Sequence, residues 1–524
     1  MKRSYHRWVV LTGPWVFLLL GLARVLAQPN KAPLAPGAAT VLGFQGAVEV
    51  QRAENARWDP AYTNQVLDAG NRLRTDKNSL AMLRFSDLET VRVGPRSLIR
   101  IEGKTERKRS VEFLKGVLYF FHRDKPDEFE VRTPQMAAII RGTEFTLEVA
   151  DDGTTTLSLL DGQVAVSNPL GQLDLTSGEQ AIAEPGKPPR RTAIIEAVNL
   201  VQWCLYYPAV LNADELNLSP AEQQALAQSL SAYRSGDLLA ALAAYPQGRQ
   251  PASEQERVYN AALLLSVGNV SEAEAQLNLL LDPNRPETPV KQLAAALQKL
   301  IAAVKYPEAL GPDLTGQRPG LGFSTSLLAE SYYLQSRLKL EDALAAARQA
   351  LRIAPQFAFA WARVAELEFG FGRIPAASEA LQKSLQLAPR NAEALALRGF
   401  LLAARNKTIE AVAAFNQAIA LDPALGPAWL GRGLCRIREG QAQAGREDLQ
   451  VAATLEPNRA VFRSYLGKAF SQAGDNRRAR RELELARKLD PRDPTGALGF
   501  ANAVKDLRQK TTAGGILYVF TLPR

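Results

Sequence analysis

The chain has 524 residues, 46% hydrophobic and 22% charged, which fits a soluble globular protein but is too long for one compact core, so two to four folding units are expected. Basic side chains outnumber acidic ones by 63 to 54, yet Lys2, Arg3, Arg7 and Arg24 all stand in the first 27 residues. Without them the balance is +5 (59 against 54), which gives little reason to expect a nucleic-acid partner or a strongly acidic substrate. Two histidines, His6 and His122, and two cysteines, Cys204 and Cys435, without CxxC or zinc-knuckle spacing, exclude a multi-histidine metal site. No GxxxxGK[ST], HExxH, GxSxG or strand-linked GxGxxG is present, so the expectation is no enzyme, no catalytic or metal residues and no cofactor.

Residues 1–27 combine a basic head, an apolar run from Trp8 to Leu22 and Val25-Leu26-Ala27 before Gln28, the pattern of a secretory signal peptide cleaved after Ala27. The run is 15 residues long before Arg24 intervenes, short of the about 20 needed to span a bilayer. Export to the periplasm or cell envelope is the resulting expectation. Residues 28–42 are rich in Pro and Ala and read as a flexible spacer.

From 43 to 184 the text alternates. Ala47–Gln51, Ala81–Phe85 and Glu128–Val131 place every second residue on an apolar face, and Asp68-Ala-Gly70, Asp152-Gly153, Asp161-Gly162 and Ser177-Gly178 supply turns. The clearest hairpin joins Thr146–Val149 to Thr155–Leu159. A β-rich sandwich or rolled sheet is predicted. The ordered motifs Gly46-x-Val48-x-Val50, Gly70-x-x-Leu73-x-Thr75, Leu114-x-Gly116-Val117, Val131-x-Thr133-Pro134, Arg141-Gly142-Thr143-Glu144-Phe145, Leu160-Asp161-Gly162-x-Val164-x-Val166 and Gly178-Glu179 resemble the FecR domain, a periplasmic module of bacterial signalling proteins. Family members place a cytoplasmic anti-sigma segment before a membrane helix, whereas only seven residues precede the apolar run here. Arg141 and Glu144 read either as ligand contacts or as a structural lock on a turn. The basic run Lys104–Arg109 is a solvated loop or a contact for anionic envelope polymers.

Residues 185–218 form a connector. Its prolines (PGKPPRRT, 185–192) are expected to close the sheet. The apolar stretch Ala193–Leu211, with Trp203, Cys204, Tyr206 and Tyr207, is either a docking segment between domains or a partner-binding patch, and pairing of Cys204 with Cys435 stays open.

Pro355, Pro389, Pro423, Pro457 and Pro491 recur every 34 residues, with small residues at Ser331, Ala365, Gly399, Gly433 and Gly467 and at Ala343, Ala377, Ala411, Gly445 and Ala479, and an aliphatic column at Ile353, Leu387, Leu421, Leu455 and Leu489. Small residues let helices cross closely, and proline stops each second helix. The pattern resembles the tetratricopeptide repeat (TPR), a helix pair that stacks into an all-α superhelix. Five regular repeats are predicted over 324–493, preceded by divergent helical repeats over 219–306 and followed by a capping helix (494–510) and a tail (511–524).

The resemblance implies a concave groove for a protein partner, and helical phase assigns Tyr332, Phe359, Arg363, Glu366, Phe369, Phe400, Arg438 and Lys468 to it. The overall expectation is an exported, non-catalytic adaptor or scaffold of the bacterial envelope that binds protein partners, with peripheral membrane or envelope-polymer contact open and no oligomeric state assigned. The alternative is an extracytoplasmic regulator of the FecR type acting through a membrane partner.

Overall fold

The computed structural model describes residues 39–490 except 87–88, 106–107, 123–127, 141–142, 194–206, 283, 285 and 306–321. The leader (1–27), the capping helix, the tail, Arg141, Gly142, Trp203, Cys204 and Tyr206 lie outside the described residues.

Seventeen strands follow in chain order among the described residues: β1 (Ala39–Gln45), β2 (Val48–Gln51), β3 (Trp58–Pro60), β4 (Val66–Leu67), β5 (Arg72–Thr75), β6 (Leu80–Ser86), β7 (Glu89–Val93), β8 (Leu98–Thr105), β9 (Lys108–His122), β10 (Glu128–Arg132), β11 (Ala137–Ile140), β12 (Glu144–Val149), β13 (Thr155–Asp161), β14 (Gln163–Asn168), β15 (Gly171–Thr176), β16 (Glu179–Ala183) and β17 (Arg190–Ala193). Their pairings resolve into two layers. The first runs β4-β1-β6-β7-β9-β12-β13-β16-β17. The second runs β3-β2-β5-β8-β9-β10-β11-β14-β15.

The long strand β9 belongs to both layers: residues 108–115 pair in the second and 116–122 in the first. Gly116 makes this passage possible. Its φ is +96°, and a Cβ there would meet the Ser97 Cα at 2.5 Å, so only glycine fits the corner. Because the second half of β9 leaves the layer, β10 can return parallel to the first half, which is the one parallel pairing among the described strands. Between the layers lies a core in which Phe120 stacks on Phe145 at 5.1 Å and contacts Phe129 at 4.7 Å.

Two expected boundaries move. β1 begins at Ala39, inside the segment read as spacer, because Ala39 and Val41 are fully buried in the sandwich core. The connector prolines do not end the sheet either: β17 starts just after Pro189 and pairs with β16, since Arg190 onwards again offers amide donors.

The helices are α1 (Pro220–Ala225), α2 (Ala227–Arg234), α3 (Leu238–Ala243), α4 (Glu254–Leu265), α5 (Val270–Asn278), α6 (Pro289–Lys305), α7 (Ser324–Ser336), α8 (Leu340–Ile353), α9 (Ala358–Gly370), α10 (Ile374–Leu387), α11 (Ala392–Ala404), α12 (Thr408–Leu421), α13 (Gly426–Arg438), α14 (Ala442–Leu455), α15 (Ala460–Gln472) and α16 (Asn476–Leu489). The residue before each repeat proline is extended, from Ala354 (φ −128°, ψ 83°) to Asp490 (φ −144°, ψ 99°), as proline demands of its predecessor. Inside each pair the turn is a Schellman closure, from Asp237 N to Ala232 O through Asp475 N to Phe470 O, at 2.8–3.0 Å in seven units. The left-handed residue of that turn is Gly236, Gly268, Leu338, Gly372, Asn406, Gly440 and Gly474 in turn. The two divergent repeats therefore share the local geometry of the five regular ones. The small-residue columns are likewise explained by contact: a Cβ on Gly399 would strike the Phe415 ring at 2.6 Å, and one on Gly467 would meet Leu483 at 2.7 Å.

Candidate functional site

The outer face of the first sheet layer is not solvated. On β9 the core-facing Leu118 and Phe120 alternate with Tyr119 and Phe121, yet all four are fully buried, because the second pair joins Leu42, Leu80 and Met82 in the cluster of the helical array. Burying an aromatic of this size contributes about 1.5–3 kcal/mol. The β module and the array thus share one apolar interface.

Polar contacts fix its register. Gln45 donates to Asp422 (2.6 Å), Arg84 pairs with Glu447 (2.8 Å), Arg92 donates to the Leu455 carbonyl (2.7 Å), Gln450 donates to Thr90 (3.2 Å) and Arg481 pairs with Asp161 (2.6 Å). At the centre Arg463, 2% exposed, pairs with Glu144 of the Arg-Gly-Thr-Glu-Phe motif, lies 3.2 Å from Glu482 and donates to Tyr119 at 3.3 Å. Tyr119 in turn donates to Glu144. The two carboxylates hold the guanidinium well above its ordinary range despite the opposing effect of burial. Glu144 therefore locks the module to the array, and neighbouring Thr143 and Phe145 are fully buried.

A sequence signal for this contact exists in the repeat columns. Twenty-eight residues before each proline stand Leu327, Trp361, Leu395, Trp429 and then Arg463. The Trp361 and Trp429 indoles each donate to a proline carbonyl at 2.8 Å, and the Arg463 Nε makes the equivalent bond to Pro457 at 3.1 Å. A charged residue in an apolar column marks the place where something other than a repeat packs. The unbroken run Leu118-Tyr-Phe-Phe121 carries the complementary signal, a strand buried on both faces.

Of the eight residues assigned to the groove, four have almost no surface. Phe359 is 6% exposed and packs edge-on against Tyr233 of α2 at 5.5 Å; Arg363, Phe369 and Phe400 are at most 1% exposed. Arg363 donates to the Ser331 hydroxyl (3.0 Å) and carbonyl (3.1 Å) and lies 3.9 Å over the Tyr332 ring, while Phe400 meets Phe415 at 4.9 Å. Tyr332 and Glu366 are half-buried, Glu366 accepting from Arg363 at 2.8 Å. Burial pushes the Tyr332 hydroxyl far above the ordinary phenol range. The expectation of an open groove over the first repeats is corrected by the connector and the first helical unit. Asn212 N donates to Thr325 Oγ1 (2.8 Å), and the Glu215 carboxylate accepts from Ser324 N (2.5 Å) and Thr325 N (3.1 Å), capping α7. Of the apolar stretch Ala193–Leu211, the described residues Tyr207, Val210 and Leu211 are buried.

What stays accessible lies further along. Arg438 is exposed, and Leu434, Ile437, Val461 and Lys468 are half-buried. Lys468 stands over the Tyr465 ring at 5.6 Å. Cys435 is a buried free thiol, and burial pushes it up to about 11. Among the described residues no group of three or more His, Cys, Asp and Glu is arranged to hold a metal ion, and no described helix is long and apolar enough to cross a membrane.

No curated protein matches the chain. A protein of Parabacteroides distasonis assigned as an anti-sigma factor is 22% identical over 26% of this chain and 67% of its own, with a TM-score of 0.24. A thermophilic TPR protein of Thermus thermophilus is 20% identical over 35% of this chain and 99% of its own (TM-score 0.32), and a chain of the APC/C hetero-tetramer Cut9-Hcn1 is 17% identical over 56% and 67% (TM-score 0.33). Residues 71–165, from β5 to the middle of β14, match the FecR protein family.

Proposed function

We propose that the chain is an exported, non-catalytic adaptor of the bacterial envelope, in which a FecR-like module is held rigidly against a TPR array and the free face of the last repeats receives a protein partner. The observation that carries this reading is the division of the array surface. Its first repeats are filled by the chain itself, whereas further along Arg438 stays exposed and Leu434, Ile437, Val461 and Lys468 each keep part of their surface. Export rests on the signal-like leader.

The test is a photocrosslinking residue at Ile437 of the full chain, expressed in cells, against the same chain carrying Arg438→Glu and Lys468→Glu. Crosslinked protein should be recovered from the envelope fraction with the first and be at least tenfold depleted with the second. Equal recovery from both would remove the face from the proposal. The match of residues 71–165 to the FecR family favours a second reading, a regulator of extracytoplasmic signalling. A deletion strain separates the two, because an adaptor leaves sigma-dependent transcripts unchanged in unstressed cells.

A further inference from the structure

The array and the first sheet layer lie side by side along a single cross-strand row. Gly43, Met82, Arg92, Tyr119, Thr146 and Ser158 are register partners from β1 through β6, β7, β9 and β12 to β13, and all of them are buried. Array residues meet this row in chain order. A Cβ on Gly43 would lie 2.7 Å from the Pro423 Cβ, Arg92 donates to the Leu455 carbonyl at 2.7 Å, and Arg463 donates to Tyr119 at 3.3 Å. Arg463 also pairs with Glu144 on β12, and Arg481 pairs at 2.6 Å with Asp161, the register partner of Glu144 on β13. The step from Pro423 to Leu455 is nearly one repeat and two strands, and the step from Arg463 to Arg481 is about half a repeat and one strand. Two strands span about 10 Å, close to the separation of helices packed side by side. The layer and the array therefore advance together, two strands for each 34 residues.

The row continues for two more strands. Ser158 is the partner of Gln180 on β16 and Gln180 that of Thr192 on β17, and these two are half-buried. Ala181 and Ala183 lie in the sandwich core, so Gln180 and Ile182 face the array side. The polar groups of this strip are bonded to one another: Gln180 donates to Ser158 at 2.7 Å and accepts from Thr192 at 2.8 Å. An apolar surface laid on Ile182 strands none of these bonds. By the same advance, the residue 34 places after Arg463, Ala497, falls two strands beyond Glu144, on β16. Residues 494–510 carry the pattern such a seat requires. Asp493-Pro494 is a helix start, Ala497, Phe500, Ala501 and Val504 form an apolar stripe, and Asn502, Asp506 and Gln509 fall on the opposite side. Seven residues lead from Asp490 to Ala497, a reach of up to about 24 Å. That is enough to pass from α16, which Arg481 holds beside β13, to the next strand about 5 Å away.

We propose that residues 494–510 are the occupant of this strip: they pack as a further helix on the outer face of β13 and β16, with the stripe from Ala497 to Val504 against Gln180 and Ile182. The array then holds the module along the layer from β1 to β16, and β17 is left as its margin. The anchor column changes accordingly. Arg463 reaches across to a carboxylate, whereas Ala497 in the same column lets the helix axis come close to the strands.

The experiment places a photocrosslinking residue at Ile182 of the full chain and maps the products by mass spectrometry, after irradiation in cells and of the purified protein. The expected major product joins position 182 to a residue within 494–510 of the same chain, and its share is unchanged by roughly tenfold dilution, as an intramolecular contact requires. The same crosslinker at Arg191, which donates to the Asp174 carbonyl of the second layer at 2.6 Å, should give no such product. Phe500→Glu should reduce the product at least about fivefold, since it sets a charge in the apolar stripe. A major product with another segment of the chain, with a second copy (lost on dilution) or with a different protein would overturn the proposal. So would the absence of any product, an equal yield from position 191, or a yield undiminished by Phe500→Glu. The mapping is read with residues 494–510 intact, so it does not depend on how Phe500→Glu folds.

Discussion

Replacing Arg463 by leucine, the residue that the first and third regular repeats carry at Leu327 and Leu395, isolates the ion cluster that joins module and array. Leucine keeps the helix and much of the volume. It leaves Glu144 and Glu482, both buried, without their shared cation, and removes a donor from Tyr119 and from the Pro457 carbonyl. Breaking a buried pair from one side costs about 3–5 kcal/mol, because the stranded charge keeps its desolvation penalty. Against the 5–15 kcal/mol typical of a whole domain, that is enough to uncouple the two parts. Urea denaturation followed by tryptophan fluorescence and far-UV circular dichroism should therefore change from one transition to two. Glu144→Gln weakens the contact between module and array together with the bond from Tyr119, and Glu482→Gln weakens the pair within the fifth regular repeat. Adding both to Arg463→Leu should restore at least about 1 kcal/mol by removing the stranded charges, the non-additivity expected of residues in one network. A single unshifted transition in Arg463→Leu, with a loss under about 1 kcal/mol, would refute the assignment of the cluster as the anchor.

Leu338 occupies the left-handed turn position (φ +62°) that other repeats give to glycine or asparagine, and its side chain is 42% exposed; Leu338→Gly should stabilise by about 0.5–1 kcal/mol, seen as a higher Tm, because the relief of left-handed strain exceeds the added chain entropy. Gly116→Ala should destabilise by about 3 kcal/mol or more in the same denaturation assay, since the backbone at +96° and the Ser97 contact both oppose a Cβ. In a Cys204→Ala background, Cys435 should react with a thiol reagent at pH 8 only at the rate of unfolding, because its thiol is buried and raised to about 11. Fast native-state labelling would contradict its placement between helices.

Much of the architecture was legible because it depends on local chemistry. The 34-residue proline spacing sets where helices stop, the glycine or asparagine of most turns sets where chains reverse, and the alternation in Ala81–Phe85 or Glu128–Val131 sets which strand face is apolar. These rules act over a few residues, so the string of letters contains them whole. The candidate site was less legible. Helical phase correctly lists which residues lie on one side of a helix, but it does not say what else comes to lie there. Phe359 meets Tyr233, and Thr325 meets Asn212, across more than 100 positions of chain.

By itself the sequence determined the succession of a β module, a connector and a helical array, together with the turns and crossings inside each. Only the tertiary structure decided that the two parts share one interface, that Glu144 serves as an anchor in it, and that the first repeats are filled from within. The physical reason is that periodicity reports the burial of a face, and a buried face looks the same in sequence whether its cover is a repeat, a sheet or a partner. Arg463 stands as the exception within its column. A charge is buried only where counter-charges meet it, and here one of the two, Glu144, lies in the other domain.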